Sequence, residues 1–136
     1  MSNEERLKVL VKIARLLNSS GITWAVGGSL LLYFKKKTDI FHDIDIMVAE
    51  EDAERLKTLL EPLGTLEKPK ENGQYQTKYF WEFTIDGAEV DVMGGFGIVK
   101  DGKVWDCSLK PESIEEYQNL GGEQIPLHSL EEWKRY

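Results

Sequence analysis

Apolar residues recur at helical spacing in two stretches of the chain and predict two helices. The first stretch has the apolar residues Leu7, Leu10, Val11, Ala14 and Leu17. Ser2 and Glu5 have the spacing of a capping box, so this helix should begin beside them and run to about Asn18. The second helix should follow Glu50-Glu51-Asp52, because negative charge suits a helix N-terminus. Its buried stripe would be Ala53, Leu56, Leu59, Leu60 and Leu63.

Shorter apolar runs predict the first strands of a sheet. Residues 22–26 form a short run that is mostly apolar and rich in β-branched residues, which indicates a buried strand. Gly27-Gly28-Ser29 interrupts this strand, and a short helix should then cover residues 30–34, with Ser29 near its N-cap. Residues 43–48 alternate between polar and apolar, so Asp43 and Asp45 should share one face of a second strand.

An Asp-Gly pair between two β-like runs predicts a hairpin over residues 77–85 and 88–93. If Asp86 and Gly87 are the loop, three pairs face each other in the register: Ile85 with Ala88, Phe83 with Val90, and Trp81 with Val92. This side is wholly apolar and should face the core. The other side carries Glu82, Thr84, Glu89 and Asp91, and it places Glu82 opposite Asp91.

The remaining segments give weaker signals. Polar residues predict loops at 35–38 and 68–76, and glycines predict a turn at 94–97. A further hairpin should surround Asp101-Gly102, a short helix should cover residues 111–120, and residues 125–127 should be extended. Ser129 and Glu132 resemble a second capping box. The helix that they would begin reaches only Tyr136, so we expect further chain or a partner on which this end docks.

These segments predict one domain over residues 1–136, because no repeat or linker divides the chain. The alternation of helices and strands indicates an α/β fold. We expect a small mixed sheet with helices on its apolar face and acids on its open face.

The net charge and the cysteine content exclude several classes of function. The net charge of −7 argues against binding of long nucleic acid. Cys107 is the only cysteine, which excludes an intrachain disulfide and a cysteine-based zinc site. The charged N-terminus does not resemble a signal peptide, and no apolar stretch approaches the roughly 20 residues of a membrane span. We therefore expect a cytoplasmic protein without a membrane partner.

The acids of the predicted strands suggest a metal site. Asp43, Asp45 and Asp91 each point away from the core residues beside them in sequence. If their strands are neighbours, three carboxylates converge, and such like charges must take up protons or share a cation. Magnesium is a suitable cation because it accepts one or two carboxylates and bridges to substrate phosphates.

The glycine turn suggests a phosphate site. A strand that ends at Gly27-Gly28-Ser29 and leads into a helix presents backbone N–H groups at a partly positive helix end. A glycine lets the backbone approach a ligand closely, and Ser29 adds a hydroxyl. Phosphoryl-type transfer needs both features, a phosphate cradle and a metal site.

The order of these motifs resembles the DNA polymerase β-type nucleotidyltransferase superfamily. Val26-Gly27-Gly28-Ser29, Asp43-Ile44-Asp45 and Val90-Asp91-Val92 follow its pattern of a hydrophobic strand, a glycine turn, an acid pair and a single later acid. The resemblance covers residues 4–93 and is greatest to small stand-alone prokaryotic members. Residues 125–130 resemble the strand and helix of antibiotic-modifying members.

The resemblance implies transfer of a nucleoside monophosphate from a nucleoside triphosphate to an acceptor, with release of pyrophosphate. Asp43, Asp45 and Asp91 would hold two magnesium ions, and Asp91 is also a candidate base for the acceptor hydroxyl. The triphosphate would contact the turn at Gly27, Gly28 and Ser29. The acceptor would be a small molecule, such as an aminoglycoside or lincosamide, or a protein. In this superfamily the helix after the core often completes the nucleotide or acceptor site, and this chain only begins that helix.

Two other functions remain open at this stage. The first is a non-catalytic subunit of the same fold, for binding or as an antitoxin, which the unfinished helix favours and the three acids oppose. The second is a sugar-nucleotide transferase, which would leave the glycine turn unexplained. The base of the nucleotide and the oligomeric state, whether a homo-oligomer or a complex with a partner subunit, also stay open.

Several polar residues near these motifs have two interpretations. Glu82 is either a fourth acid near the metal or, like Glu89, part of a solvated face, and the solvated face is the simpler hypothesis. His42 could touch a phosphate or be structural, and Lys35-Lys36-Lys37 could steer a triphosphate or be a solvated loop. Cys107 should be a passive thiol.

Overall fold

The computed structural model describes residues 1–67, 79–95, 97–106 and 109–129. The helices in these ranges are α1 (Asn3–Ser19), α2 (Gly28–Phe34) and α3 (Ala53–Leu60). The strands are β1 (Trp24–Gly27), β2 (Asp43–Val48), β3 (Thr65–Leu66), β4 (Tyr79–Ile85), β5 (Ala88–Gly94), β6 (Gly97–Lys100), β7 (Lys103–Asp106), β8 (Ile114–Leu120) and β9 (Glu123–His128). Short 3-10 turns cover 50–52, 61–63 and 111–113.

Seven of these strands form one mixed sheet in the order β3-β4-β5-β2-β1-β9-β8. The β2–β5 and β1–β9 pairs are parallel, and the other pairs are antiparallel. The strands β6 and β7 form a separate two-stranded sheet. The α/β class and the mixed sheet are confirmed.

The main core lies between one face of the sheet and the three helices. α1 contributes Val9, Leu10, Ile13, Ala14 and Leu17, and all five are buried. They meet alternate residues of the strands, among them Val26, Ile44, Ile46, Val90 and Val92. The capping box at Ser2 and Glu5 is present and begins α1, as predicted. None of the helices among the described residues is long and apolar enough to cross a membrane.

The β4–β5 hairpin has the register that the Asp-Gly turn predicts. Ile85 pairs with Ala88, Phe83 with Val90, and Glu82 with Asp91. Phe83 is buried, whereas Trp81 is only partly buried and lies beneath the ammonium group of Lys57 at 5.6 Å from its ring centroid.

The face of the sheet opposite the helices, here called the open face, has a second, smaller core. Ala25 of β1 and Met47 of β2 are fully buried there against Leu109. Met93 and Ile114 are partly buried at its edge. Leu109 and Ile114 therefore cover Ala25 and Met47, whereas the acids of β2 and β5 lie outside this smaller core.

Residues 111–120 correct a sequence prediction, because they form a 3-10 turn and strand β8 instead of a short helix. β8 pairs with β9, and the two strands are connected by Gly121 and Gly122, which both have positive φ values. Two such residues make a tight hairpin turn, and pairing with β9 satisfies backbone groups that a helix would have bonded internally.

The start of α2 also differs from the prediction. The N-cap is Gly27, not Ser29, and it makes no side-chain hydrogen bond to the helix. The third helix is an α-helix only from Ala53, because Glu50–Asp52 form a 3-10 turn. The predicted loop at 68–76, Cys107 and the capping partner Glu132 lie outside the described residues.

Candidate functional site

Three carboxylates meet on the open face, where the central strands run side by side. In the parallel β2–β5 pair, Asp45 is the direct partner of Asp91, and Asp43 is the partner of Glu89. Carboxylate oxygens of Asp43, Asp45 and Asp91 all lie within 4.8 Å of one another. Their apolar neighbours Ile44 and Val90 point into the core, which forces the acids outward. The predicted convergence of the three aspartates is therefore present.

Asp45 is the electrostatic centre of this group. Desolvation by burial is the main cause that raises its pKa to about 7, and the neighbouring charges of Asp91 and Asp43 raise it further. A hydrogen bond between the side chains of Asp45 and Asp91 also favours the protonated form. The backbone N–H of Ser29 donates to Asp45 and acts in the opposite direction. A proton thus partly neutralises the three acids when no cation is present.

The glycine turn lies directly against Asp45. Gly27 is the strand partner of Asp45, and Gly28 follows with φ of 59°. A Cβ at position 28 would overlap Oδ2 of Asp45 and lie 2.8 Å from its Cγ. Only glycine fits this position without a shift, because its backbone is left-handed and touches the carboxylate. The turn and the acids are therefore a single structural unit.

Strand registers extend this unit into a row across the sheet. Gly27 pairs with Asp45, Asp45 with Asp91, and Asp91 with Glu82. On the other side, Val26 pairs with Leu127 in the parallel β1–β9 ladder, which brings the next residues, Gly27 and His128, side by side. We call these residues the site row: His128, Gly27, Asp45, Asp91 and Glu82.

The other sequence candidates have different surroundings. Glu82 is partly buried in the site row, and Glu89 is exposed beside Asp43. Lys35 forms an ion pair with Glu116 of β8. His42 is exposed immediately before β2.

His128 is the member of the site row that sequence reasoning missed. Its side chain is buried, and its Nδ1 lies 3.1 Å from the carbonyl oxygen of Ser129. The alternation of the inward-facing Ile125 and Leu127 was the available signal, because it directs residue 128 to the opposite face.

Comparison with known structures and families places this geometry among nucleotidyltransferases. The chain superposes on TM1012 of Thermotoga maritima, a protein assigned to the nucleotidyltransferases, with a TM-score of 0.83, 28% identity, and coverage of 99% of this chain and 84% of that one.

Two antibiotic-modifying proteins have the same fold at lower identity. ANT(2'')-Ia in complex with adenylyl-2''-tobramycin gives a TM-score of 0.64 with 16% identity over 92% of this chain and 70% of that one. The lincosamide antibiotic adenylyltransferase LnuA, bound to lincomycin, gives 0.63 with 16% identity over 100% of this chain and 85% of that one. A search of curated proteins finds no match. The sequence profile of the aminoglycoside-2''-adenylyltransferases matches residues 9–136.

Proposed function

This chain belongs to the aminoglycoside-2''-adenylyltransferase family and is a nucleotidyltransferase, and we propose that it transfers a nucleoside monophosphate to a hydroxyl group of a small molecule. The observation that carries the proposal is the meeting of three carboxylates within 4.8 Å beside the N-terminus of α2. Relatives of the same fold are described with adenylyl-2''-tobramycin and with lincomycin, which supports a small-molecule acceptor.

The donor set fits magnesium. Asp43, Asp45 and Asp91 offer hard oxygen ligands, and a bound cation would relieve the mutual repulsion that raises the pKa of Asp45. When bound, magnesium would neutralise substrate phosphates and lower the pKa of an acceptor hydroxyl. Two ions held by the three aspartates are the arrangement that we propose.

The residues of the turn would position the triphosphate. Gly28 is partly buried and brings its backbone next to Asp45, and the N-terminus of α2 favours the negative charge of a phosphate. Ser29 already donates its N–H to Asp45, so it holds this ligand in place. Its hydroxyl would remain for the phosphate.

The acceptor side of the reaction would use Asp91. The acceptor hydroxyl loses a proton, its oxygen bonds to the α-phosphorus, and the bond from that phosphorus to the pyrophosphate oxygen breaks. Asp91 is suited to receive the proton because it lies in the site row between Asp45 and Glu82, on the side of Asp45 away from the glycine turn.

Calorimetric titration of each nucleoside triphosphate, with and without magnesium, tests this proposal. Wild type should bind a triphosphate only with magnesium, and the Asp43→Asn/Asp45→Asn variant should lose that binding. Asp86→Asn is the matched control, because this aspartate lies at the β4–β5 turn and pairs with Lys12. Equal binding by wild type and the double variant would remove these aspartates from the site, and no binding by wild type would favour a non-catalytic subunit.

A further inference from the structure

Strand β8 is the last strand at one end of the seven-stranded sheet. Among the described residues, β9 is its neighbour on one side, and no strand pairs with it on the other. Residues 116–119 are exposed, and Tyr117 is a large side chain with 60% of its surface accessible to water. An edge strand of seven residues presents a row of backbone hydrogen-bonding groups to which another strand can be added.

The pairing of β8 with β9 indicates which backbone groups of β8 point outward. Tyr117 lies opposite Pro126, which has no N–H group and cannot complete the two reciprocal hydrogen bonds of a bonded pair. The count from the hairpin turn agrees, because the closing pair at Leu120 is bonded and bonded pairs alternate with non-bonded ones. The N–H and C=O groups of Tyr117 and Asn119 therefore point away from β9, whereas those of Gln118 point towards it.

The charge of the chain restricts which surfaces of two copies can meet. Each chain has a net charge of −7, so the acidic surfaces of two copies repel each other. Residues 117–122 include no charged residue, and the acid that precedes them, Glu116, already forms an ion pair with Lys35. Natural edge strands are often protected from association by charged side chains, and this part of β8 lacks that protection.

An antiparallel copy of β8 fits this edge about a two-fold axis at Gln118. Tyr117 then lies opposite Asn119 of the second copy, and each such pair exchanges two backbone hydrogen bonds. The two Gln118 side chains meet at the axis, where their amide groups can both donate and accept. An axis at Glu116 places two carboxylates opposite each other, and an axis at Tyr117 brings the irregularity between Ile114 and Glu116 into the ladder.

We propose that this chain forms a homodimer through β8, in which the two seven-stranded sheets join into one continuous sheet. The partner is a second copy, because this edge complements itself in backbone hydrogen bonds and in charge. The two Tyr117 rings lie diagonally across the axis within reach of each other, so association removes apolar surface from water. The acids on β2 are three strands in from the edge, which leaves the two candidate sites roughly 30 Å apart. The inference is therefore independent of the proposed function.

Hydrogen exchange of the full chain at rising protein concentration tests this edge residue by residue. The amides of Tyr117 and Asn119 should exchange more slowly as the dimer forms, because their N–H groups gain partners across the axis. The N–H group of Gln118 already faces β9, so its exchange is the internal control and should change least. Unchanged exchange at Tyr117 and Asn119 while a dimer forms would place the interface elsewhere and overturn the inference.

Sedimentation over the same concentrations should show the mass of one chain rising to that of two. Higher salt should strengthen the dimer, because it screens the repulsion between two acidic chains and the interface itself contains no ion pair across the axis. A wild type that stays monomeric, or a dimer that salt dissociates, would contradict the inference.

Two variants break the edge in different ways. Gln118→Glu places two carboxylates opposite each other at the axis and should weaken the dimer at least about tenfold. Asn119→Pro removes an outward N–H group that the β8–β9 ladder does not use, and it should also weaken the dimer. Gln124→Glu is the matched control for Gln118→Glu, because it makes the same change at an exposed residue of β9, and its dimer should persist. Equal weakening by both glutamate variants, or a dimer that neither edge variant weakens, would overturn the inference.

Discussion

Two neighbouring rows of the same strands behave differently on the open face. In one row, Asp45 and Asp91 are paired and only partly buried. In the next row, two residues further along, Met47 is paired with Met93 and is fully buried under Leu109. The backbone is continuous and the two rows are only about 7 Å apart. The contact of Met47 with Leu109 is what distinguishes the row that belongs to the core from the row that forms the candidate site.

This contrast separates the residues that stabilise the fold from those that would perform chemistry. Met47 gains stability by removing apolar surface from water. Asp45 has the opposite effect in the metal-free protein, because its burial and its acidic neighbours oppose ionisation. Substitutions in the two rows should therefore have separable consequences.

The largest expected effect is on stability, from Met47→Ala in the covered row. The variant leaves a cavity beneath Leu109 and should lose roughly 2–5 kcal/mol of the free energy of unfolding. Urea unfolding measures this loss, and Met93→Ala should lose less because Met93 is only partly buried. Magnesium-dependent triphosphate binding should persist at temperatures where the variant is folded. Its loss in a folded Met47→Ala protein would show that the two rows are not independent.

The next effect is on activity, from Gly28→Ala beside the row of acids. A methyl group at this position overlaps the carboxylate of Asp45 and must displace it. A shift of about 1 Å in a positioned ligand lowers turnover by about 100-fold, which equals about 2.7 kcal/mol. Pyrophosphate release with an active acceptor measures this loss.

Gly21→Ala is the matched control for Gly28→Ala. Gly21 has φ of 69°, but a Cβ there meets no atom within 4 Å. The control should lose about 1 kcal/mol of stability from the left-handed backbone and should retain full activity. Equal activity in both variants would mean that the contact between Gly28 and Asp45 has no role in transfer.

The smallest expected effect is a pH dependence of stability in the metal-free protein. The folded-state pKa of Asp45, about 7, is above its ordinary value of 3.8. The protonated form therefore stabilises the fold at low pH, and this contribution is lost as the pH rises through 7. Between pH 6 and pH 8 the loss should be about 1 kcal/mol. Urea unfolding in the presence of a chelator at the two pH values measures it.

Two variants sharpen this pH experiment. Asp45→Asn should be less sensitive to pH over the same range, because it cannot ionise. Asp91→Asn should lower the pKa of Asp45, because the charge of Asp91 is the second-largest cause, after burial, that raises this pKa. The Asp91→Asn substitution should therefore stabilise the metal-free protein or barely affect its stability. A large loss of stability in Asp91→Asn would give Asp91 a structural role instead.

Local signals predicted much of this site from the sequence. The Asp-Gly turn fixed the register that places Glu82 opposite Asp91, because turn length determines strand pairing. Alternation placed Asp43 and Asp45 on one face of β2. The neighbouring position of β2 and β5 had no such local signal, since parallel pairing joins residues far apart in sequence, and only the family resemblance implied it.

The helix wrongly predicted for residues 111–120 shows where apolar periodicity fails to distinguish a helix from a strand. Ile114, Tyr117 and Leu120 are three residues apart, which suits a helix, yet they belong to strand β8. The better signal was the Gly121-Gly122 pair, which is a two-residue hairpin turn between β-compatible runs. For His128, alternation with Ile125 and Leu127 indicates the face of the sheet, but local sequence does not show that β9 pairs with β1.

The parallel pairing of Val26 with Leu127 has a consequence for how the molecule folds. The strand that ends in the glycine turn gains this neighbour from 101 positions later in the chain (127 − 26). Contacts of such sequence separation form slowly, because a long loop must close first. During synthesis, α1 and the β4–β5 hairpin can form early, but the site row cannot be completed until β9 leaves the ribosome. Nucleotide-binding competence should therefore be among the last properties that a newly made chain acquires.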